Sequence, residues 1–320
     1  MTQSQAARPQ KTAQGIGIIL ASVLTMAFAD ALVKLVSAEL TLWQIFVARS
    51  LFALPVLAVL LRATGRGLRL RSPRWALLRS LLLVLTWLAF YASLPVLDLS
   101  VAAVAVYSNP IMIALLSSAL IGEPVTGRQW LGVLLGFLGV VAVLQPGTEA
   151  FSWFTLLPLL AAAFYALAMV LTRSKCQQES PPVLALALHG SFLVAGLIAT
   201  ALLALLGLGD ATRSAYPFLL GNWAPLGPRE WGLMALLGGL SVAYFVGVAR
   251  AYQIAAPPII ATFDYAYLIS AALWGFVFFA EAPGLLTLGG MILITAAGLL
   301  VAAPFSRGQD GRAKRSRRHL

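Results

Sequence analysis

Ten runs of apolar residues divide this chain, at 14–36, 41–61, 75–95, 99–121, 129–146, 152–172, 183–206, 231–252, 257–280 and 285–303. Each is close to the roughly 20 residues that carry an α-helix across a hydrocarbon core. The pattern therefore predicts an all-α integral membrane fold with ten transmembrane helices. The first run is too long for a cleavable signal peptide, carries Asp30 and Lys34, and lacks a small-residue cleavage site. Most connections have only a few residues, which makes consecutive helices antiparallel neighbours. The exception is 207–229, where Pro217, Asn222, Pro225 and Pro228 make the segment too polar and proline-rich to span. Its aromatics Tyr216, Phe218 and Trp223 suit a membrane–water interface. We read it as a periplasmic cap with a short lateral helix.

Residues 99–146 and 257–304 are weak copies of each other, 158 positions apart and without a gap. Tyr107 falls on Tyr265, Ile111 on Ile269, Glu123 on Glu281, Gly132 on Gly290 and Pro146 on Pro304. A fainter echo lays Ala27-Phe28 over Ala163-Phe164. The longer copies lie five predicted spans apart, an odd number, so the second must be inverted relative to the first. This divides the chain into a cytoplasmic tail at 1–13, a five-helix repeat at 14–146, a second at 152–303 and a basic tail at 304–320. The halves meet at the short turn Pro146–Ser152 and enclose a central cavity. Inverted repeats around a midplane site mark many secondary transporters.

Composition sharpens the picture. The chain is 60% hydrophobic and 10% charged, where a soluble domain carries about 25% charged residues. The net charge of +11 invites a nucleic-acid reading, but its distribution argues for none. Arg8, Lys11, Arg62, Arg66, Arg69, Arg71, Arg74, Arg79, Arg128, Arg173, Lys175, Arg250 and the tail lie on one predicted side, and Lys34, Arg213 and Arg229 on the other. The positive-inside rule then places both termini in the cytoplasm, and the tail reads as an anchor to the lipid bilayer. Arginine-rich inner loops and no transit peptide fit a bacterial inner membrane. The lone Cys176 excludes an intramolecular disulfide and falls in a predicted cytoplasmic loop.

Charges inside spans tend to face a cavity or one another. Asp30 and Lys34 are four apart on one helical face and can pair. The first hairpin brings Arg49 to nearly the depth of Asp30. These residues form either a structural Asp30–Arg49 ion pair, with Lys34 snorkelling outward, or a charged wall of a translocation path. Asp264 lies in the polar-aromatic run Thr262-Phe263-Asp264-Tyr265-Ala266-Tyr267. It is a candidate for recognising a substrate amine or carrying a coupled proton, unless it pairs with Arg250. Trp87, Tyr91, Tyr107, Tyr165, Tyr244, Tyr265, Tyr267 and Trp274 predict a cavity bounded by the third, fourth, sixth, eighth and ninth spans. Asn109-Pro110 breaks the fourth span, and such defects survive where they line water or protein. His189 reads as a hydrogen-bonded packing residue. Glu123-Pro124 and Glu281-Ala282-Pro283 read as turns whose glutamates favour the start of the next helix. Gly132, Gly136 and Gly139, with Gly289, Gly290 and Gly298, are spaced for close packing, within the chain or across a homodimer. No zinc spacing, phosphate loop or nucleophile elbow is present, so neither an enzyme nor a cofactor is expected.

The doubled pattern of Gly122-Glu123-Pro124 with Gly132 and Gly139, then Ala280-Glu281-Ala282-Pro283 with Gly290 and Gly298, resembles the drug/metabolite transporter superfamily, specifically its EamA-like ten-helix carriers. Asp30-x-x-x-Lys34 and Arg49 share the resemblance, which covers about 14–303. It implies a basket of helices around a cavity, with the fifth and tenth spans as support, and alternating access without ATP. It implies a small-molecule substrate such as an amino acid, another metabolite or a vitamin. The expected function is export of amino acids or related compounds, with Trp87, Tyr91, Tyr107, Asn109, Tyr165, Tyr244, Asp264, Tyr265 and Tyr267 as substrate wall. Asp30, Lys34, Arg49 and Asp264 supply charge or coupling. The alternative in the same fold is vitamin uptake, for example riboflavin; a membrane enzyme or scaffold is the remote one.

Overall fold

A computed structural model describes residues 3–65, 67, 70–121, 127–144, 153–255 and 257–302. Among them the secondary structure is helical throughout: α1 (Gln3–Val36), α2 (Leu42–Ala63), α3 (Pro73–Ser93), α4 (Leu99–Val106), α5 (Asn109–Ile121), α6 (Gly127–Leu144), α7 (Leu157–Ser174), α8 (Pro181–Leu205), α9 (Asp210–Ala215), α10 (Pro217–Leu220), α11 (Pro228–Ile254), α12 (Pro257–Asp264), α13 (Ala266–Phe279) and α14 (Leu285–Ala302). A 3-10 turn, Trp153–Leu156, leads into α7. The Glu123-Pro124 turn, the turn between the predicted halves and the basic tail lie outside the described residues.

Seven helical stretches among the described residues are long and apolar enough to cross a membrane, where the sequence predicts ten. The difference lies in the last three predicted runs of the repeated segments. Trp130–Ala142, Ala266–Phe279 and Leu285–Ala297 are apolar but shorter. The ninth run is divided at Tyr265, where the chain makes a single tight turn with the Leu268 N–H donating to the Tyr265 carbonyl at 3.0 Å. The fourth run is divided at Tyr107 and Ser108, just before Asn109-Pro110, as proline without an N–H demands.

The repeat noticed in the sequence reappears in the element boundaries. Shifting α4 by 158 positions gives the bounds of α12, and shifting α6 gives those of α14. α6 and α14 pack lengthwise on each other through their glycines. A Cβ on Gly139 would stand 2.8 Å from Ile294 Cγ1 and 3.1 Å from the Gly290 carbonyl oxygen, and one on Gly136 would overlap Ile111. These glycines let two backbones approach where lipid gives no hydrophobic push. Of the two readings left open, packing within the chain accounts for this face.

The segment predicted as a cap does form short helices, α9 and α10. Arg213 holds them by donating to the carbonyls of Leu203, Leu208 and Leu220 and to Asn222 Oδ1. The cap is tied to the start of α2 through Trp43 Nε1 to the Leu219 carbonyl (2.8 Å) and through a two-way pairing of the Gln44 amide with the Ala224 backbone. Thr41 caps α2 by accepting from the Gln44 N–H. We call this the cap end of the bundle. The opposite end carries the α2–α3 and α7–α8 connections and the end of α11.

Glu281 plays a different part from the one its sequence position predicts. It precedes α14 by several residues and instead accepts the Leu99 N–H at the start of α4 (2.9 Å). An acid at a helix N-terminus meets both the free N–H groups and the helix dipole, here supplied from a distant part of the chain. Its other oxygen pairs with Lys34. Lys34 therefore neither snorkels nor pairs with Asp30; it also donates to the Leu97 carbonyl at 2.8 Å. Arg79, counted with the inner basic residues, is 1% exposed within α3 and donates to Thr172 Oγ1 at 2.6 Å.

Candidate functional site

The carboxylate of Asp30 is fully buried on α1 and pins three helices. Its Oδ1 accepts from Tyr91 Oη on α3 at 2.9 Å, and its Oδ2 accepts from Tyr267 Oη on α13 at 2.7 Å. Arg49, 1% exposed on α2, does not form the direct ion pair with Asp30 that the shared depth predicts. Its Nη1 instead donates to Tyr91 Oη at a long 3.4 Å, so one hydroxyl links the two charges. The guanidinium lies over the rings of Phe192, Phe46 and Tyr91, with centroids at 4.7, 5.5 and 6.0 Å. Aromatic faces stabilise a desolvated cation, which is how Arg49 is tolerated at this depth without a carboxylate in contact.

Asp264, the last residue of α12, is 1% exposed. Its Oδ2 accepts from Tyr252 Oη on α11 at 2.7 Å. Arg250 is not its partner: that side chain is exposed at the end opposite the cap. Tyr252 was absent from the sequence-derived site. Its signal was weak, since only the sharp turn between α11 and α12 brings a tyrosine 12 positions earlier onto Asp264.

The two helix breaks face one another. Tyr107 in the α4–α5 break stacks on Tyr267, with centroids 4.7 Å apart and planes at 19°, and lies 6.3 Å from the ring of Tyr265. Beside them is a small cavity of about 30 Å³ lined by Met26, Asp30, Thr86, Trp87, Phe90, Val106, Tyr107, Asn109, Tyr165 and Tyr267. That is room for a water or two. Of the residues expected as a substrate wall, Trp87, Tyr107, Asn109, Tyr165 and Tyr267 line this cavity, and Tyr91, Tyr244, Asp264 and Tyr265 do not. α1 contributes Met26 and Asp30, which the aromatic pattern did not mark. α11 stands behind the wall, with Tyr244 packed on Trp87 at 6.1 Å between centroids. Trp274 lies elsewhere, in a ring cluster with Phe28 and Phe278. His189 packs as expected, within reach of Ser241 Oγ at 3.2 Å.

Part of the unmet hydrogen-bonding capacity of the core lies around this region, with Trp87 and Asn109 on the cavity lining itself. Arg49 Nε and Nη2, Trp87 Nε1, Asn109 Oδ1, Asp264 Oδ1 and Tyr265 Oη are buried with no partner among the described residues. Most buried polar groups are paired, and each that is not costs about 1–3 kcal/mol. These six include donors only (arginine, tryptophan) and acceptors only (the Asn109 and Asp264 oxygens). The set is suited to a polar solute and contains no nucleophile with an adjacent base.

Two larger clefts lie toward the ends of the bundle. One at the cap end, about 380 Å³, is lined by Lys34, Phe154, Tyr216, Phe218, Phe279 and neighbours. The other, about 810 Å³, lies at the opposite end. α1 runs from Asp30 to Lys34 in the first, and α11 runs from Tyr252 to Gln253 in the second. The polar cluster thus lies between two openings.

Comparison with known proteins bears on the family and the fold. Residues 13–145 match the model of the EamA-like transporter family. The chain is 26% identical to the pseudopaline exporter CntI of Pseudomonas aeruginosa, covering 88% of this chain and 94% of that protein. It is 24% identical to an S-adenosylmethionine uptake transporter of Rickettsia felis, covering 90% and 92%. It is 29% identical to a riboflavin transporter of Rhizobium johnstonii, covering 88% and 86%. A solved crystal structure shares the fold with a TM-score of 0.61 at 18% identity, over 92% of this chain and 96% of that one. Residues 13–145 thus belong to the EamA-like transporter family of the drug/metabolite transporter superfamily, and the chain over most of its length is similar to small-molecule transporters.

Proposed function

We propose that the protein is a secondary-active exporter of amino acids or related small metabolites, working by alternating access in a bacterial inner membrane. The observation that carries this reading is the cluster of unpartnered buried donors and acceptors around Asp30, Arg49 and Asp264. A solute bearing both an anionic and a cationic group satisfies Arg49 and Trp87 with the first and Asp264 and Asn109 with the second. Tyr91, Tyr107, Tyr165, Tyr244, Tyr265 and Tyr267 enclose it. The exporter among the relatives supports the direction of flux. Proton coupling through Asp30 or Asp264 belongs to the same proposal.

Ten spans in two inverted repeats are part of this reading. The coincident bounds of α4 with α12 and of α6 with α14 support it, as do the facing breaks at Tyr107 and Tyr265. Rocking of one repeat against the other exposes a fixed site to each side in turn. The distribution of arginine and lysine supports cytoplasmic termini.

The test is thermal stabilisation of the detergent-purified protein by amino acids, polyamines, flavins and nucleosides. A ligand of the folded state raises Tm. The proposal expects a hit among zwitterionic solutes that disappears in Asp264→Asn and in Arg49→Gln. A second reading, riboflavin uptake, is favoured by the 29% identical relative. A flavin hit, with rescue of a riboflavin auxotroph, selects it over export.

A further inference from the structure

The larger cleft, opposite the cap, shares no lining residue with the small cavity beside Asp30. It is lined by Arg71 before α3, by Gln177, Gln178 and Glu179 between α7 and α8, and by Arg250 and Gln253 at the end of α11. Arg71 and Arg250 are exposed, and neither has a hydrogen bond or ion pair among the described residues. The carboxylate in this lining, Glu179, is buried, and its Oε1 accepts the Ser72 N–H at the start of α3. Gln253 is held by the carbonyls of Cys176 and Glu179, at 3.0 and 2.8 Å. The walls are therefore fixed, and the two guanidinium forks have no partner among the described residues.

The level of this cleft in the bilayer can be read from α3. Trp75, one turn beyond Arg71, is 41% exposed, with Lys175 Nζ 5.4 Å from its ring centroid. Tryptophan and lysine together mark the membrane–water interface. Immediately beyond it, Leu77, Leu78 and Leu81 are turned outward, 54%, 40% and 53% exposed, as a lipid-facing surface requires. Arg71 and Arg250 thus stand at headgroup depth.

We propose that this cleft binds a phosphate-bearing anion, held between Arg71 and Arg250, and that its source is the headgroup of an anionic phospholipid. Guanidinium forks match phosphate oxygens in pairs, and basic pockets between membrane helices on the basic side accept anionic headgroups. The cleft volume of about 810 Å³ admits a glycerophosphate headgroup with room to spare.

The test compares thermal unfolding of the full chain in neutral detergent with added phosphatidylglycerol, phosphatidylcholine or inorganic phosphate. Phosphatidylglycerol is expected to raise Tm by several degrees and phosphatidylcholine to leave it unchanged. The double substitution Arg71→Gln and Arg250→Gln is expected to remove more than half of that rise, and each single substitution part of it. Arg229→Gln, on the exposed Arg229–Glu39 pair, keeps the full rise. An equal rise in the double variant, or an equal rise with phosphatidylcholine, overturns the proposal. An arginine-dependent rise with inorganic phosphate that phosphatidylglycerol does not exceed overturns the headgroup assignment and makes the anion a soluble one. None of these outcomes bears on the solute site, so this proposal and the transport reading fail separately.

Discussion

Two tyrosines of the polar cluster separate stability from binding. Tyr91 Oη stands between Asp30 and Arg49, whereas Tyr265 Oη is buried without a partner. Tyr91→Phe is expected to cost about 1–2 kcal/mol of stability, the upper range for a hydrogen bond between membrane helices. Tyr265→Phe removes an unsatisfied buried hydroxyl and is expected to stabilise the folded protein by about 1–3 kcal/mol. If Tyr265 contacts the solute, its substitution nonetheless weakens ligand-induced stabilisation, and thermal unfolding with and without ligand reads both quantities. Cys176 supplies a second residue-scale check. It is fully buried near the start of α8, and burial pushes its thiol pKa up. The thiolate is the reactive form, so maleimide at neutral pH is expected to leave the folded protein unlabelled and to label it on unfolding. Rapid labelling of the folded chain would show that the α7–α8 connection opens.

At the scale of helices, the ends of α13 and the seam of α6 with α14 bear the most specific demands. Ala280 closes α13 with φ +55°, in the left-handed region, and this turn delivers Glu281 to Lys34 and Leu99. A non-glycine residue there is strained by about 1–2 kcal/mol. After the entropy that glycine adds to the unfolded chain, Ala280→Gly is expected to stabilise by about 0.5–1 kcal/mol. A loss of stability would show that the turn is not held as described. Gly139→Leu is expected to cost at least about 1–3 kcal/mol by overpacking, because a Cβ already meets Ile294 and Gly290; ligand affinity should be unchanged, since the seam lies away from the cavity. Much of this architecture was legible in the sequence. Apolar runs gave the helices, Asn109-Pro110 gave the first break, the 158-residue shift gave the matching bounds, and Asp30, Arg49 and Asp264 stood out as charges in apolar surroundings. What spacing could not give was rotation. Depth placed Asp30 beside Arg49, but only the turn of each helix decides that Tyr91 stands between them. The partnerships of Tyr252 with Asp264 and of Glu281 with Lys34 likewise depend on contacts between helices remote in sequence.

For the molecule as a whole, the account joins a polar cluster at mid-bundle to clefts at both ends. At the cap end, Lys34 and Glu281 tie α1 to the turn after α13 and to the start of α4, one helical turn from Asp30. On the proposed reading, this places the charged cluster between two openings, as alternating access around a fixed site requires. The most direct test is solute counterflow in proteoliposomes, using the zwitterionic solute that gives the greatest thermal stabilisation. The account predicts that the native protein accumulates labelled solute against an unlabelled internal pool. It predicts at least a tenfold loss in Arg49→Gln and in Asp264→Asn, with both variants still folding by thermal unfolding. Undiminished counterflow in both variants would show that transport does not pass through the cluster, and would contradict the central claim.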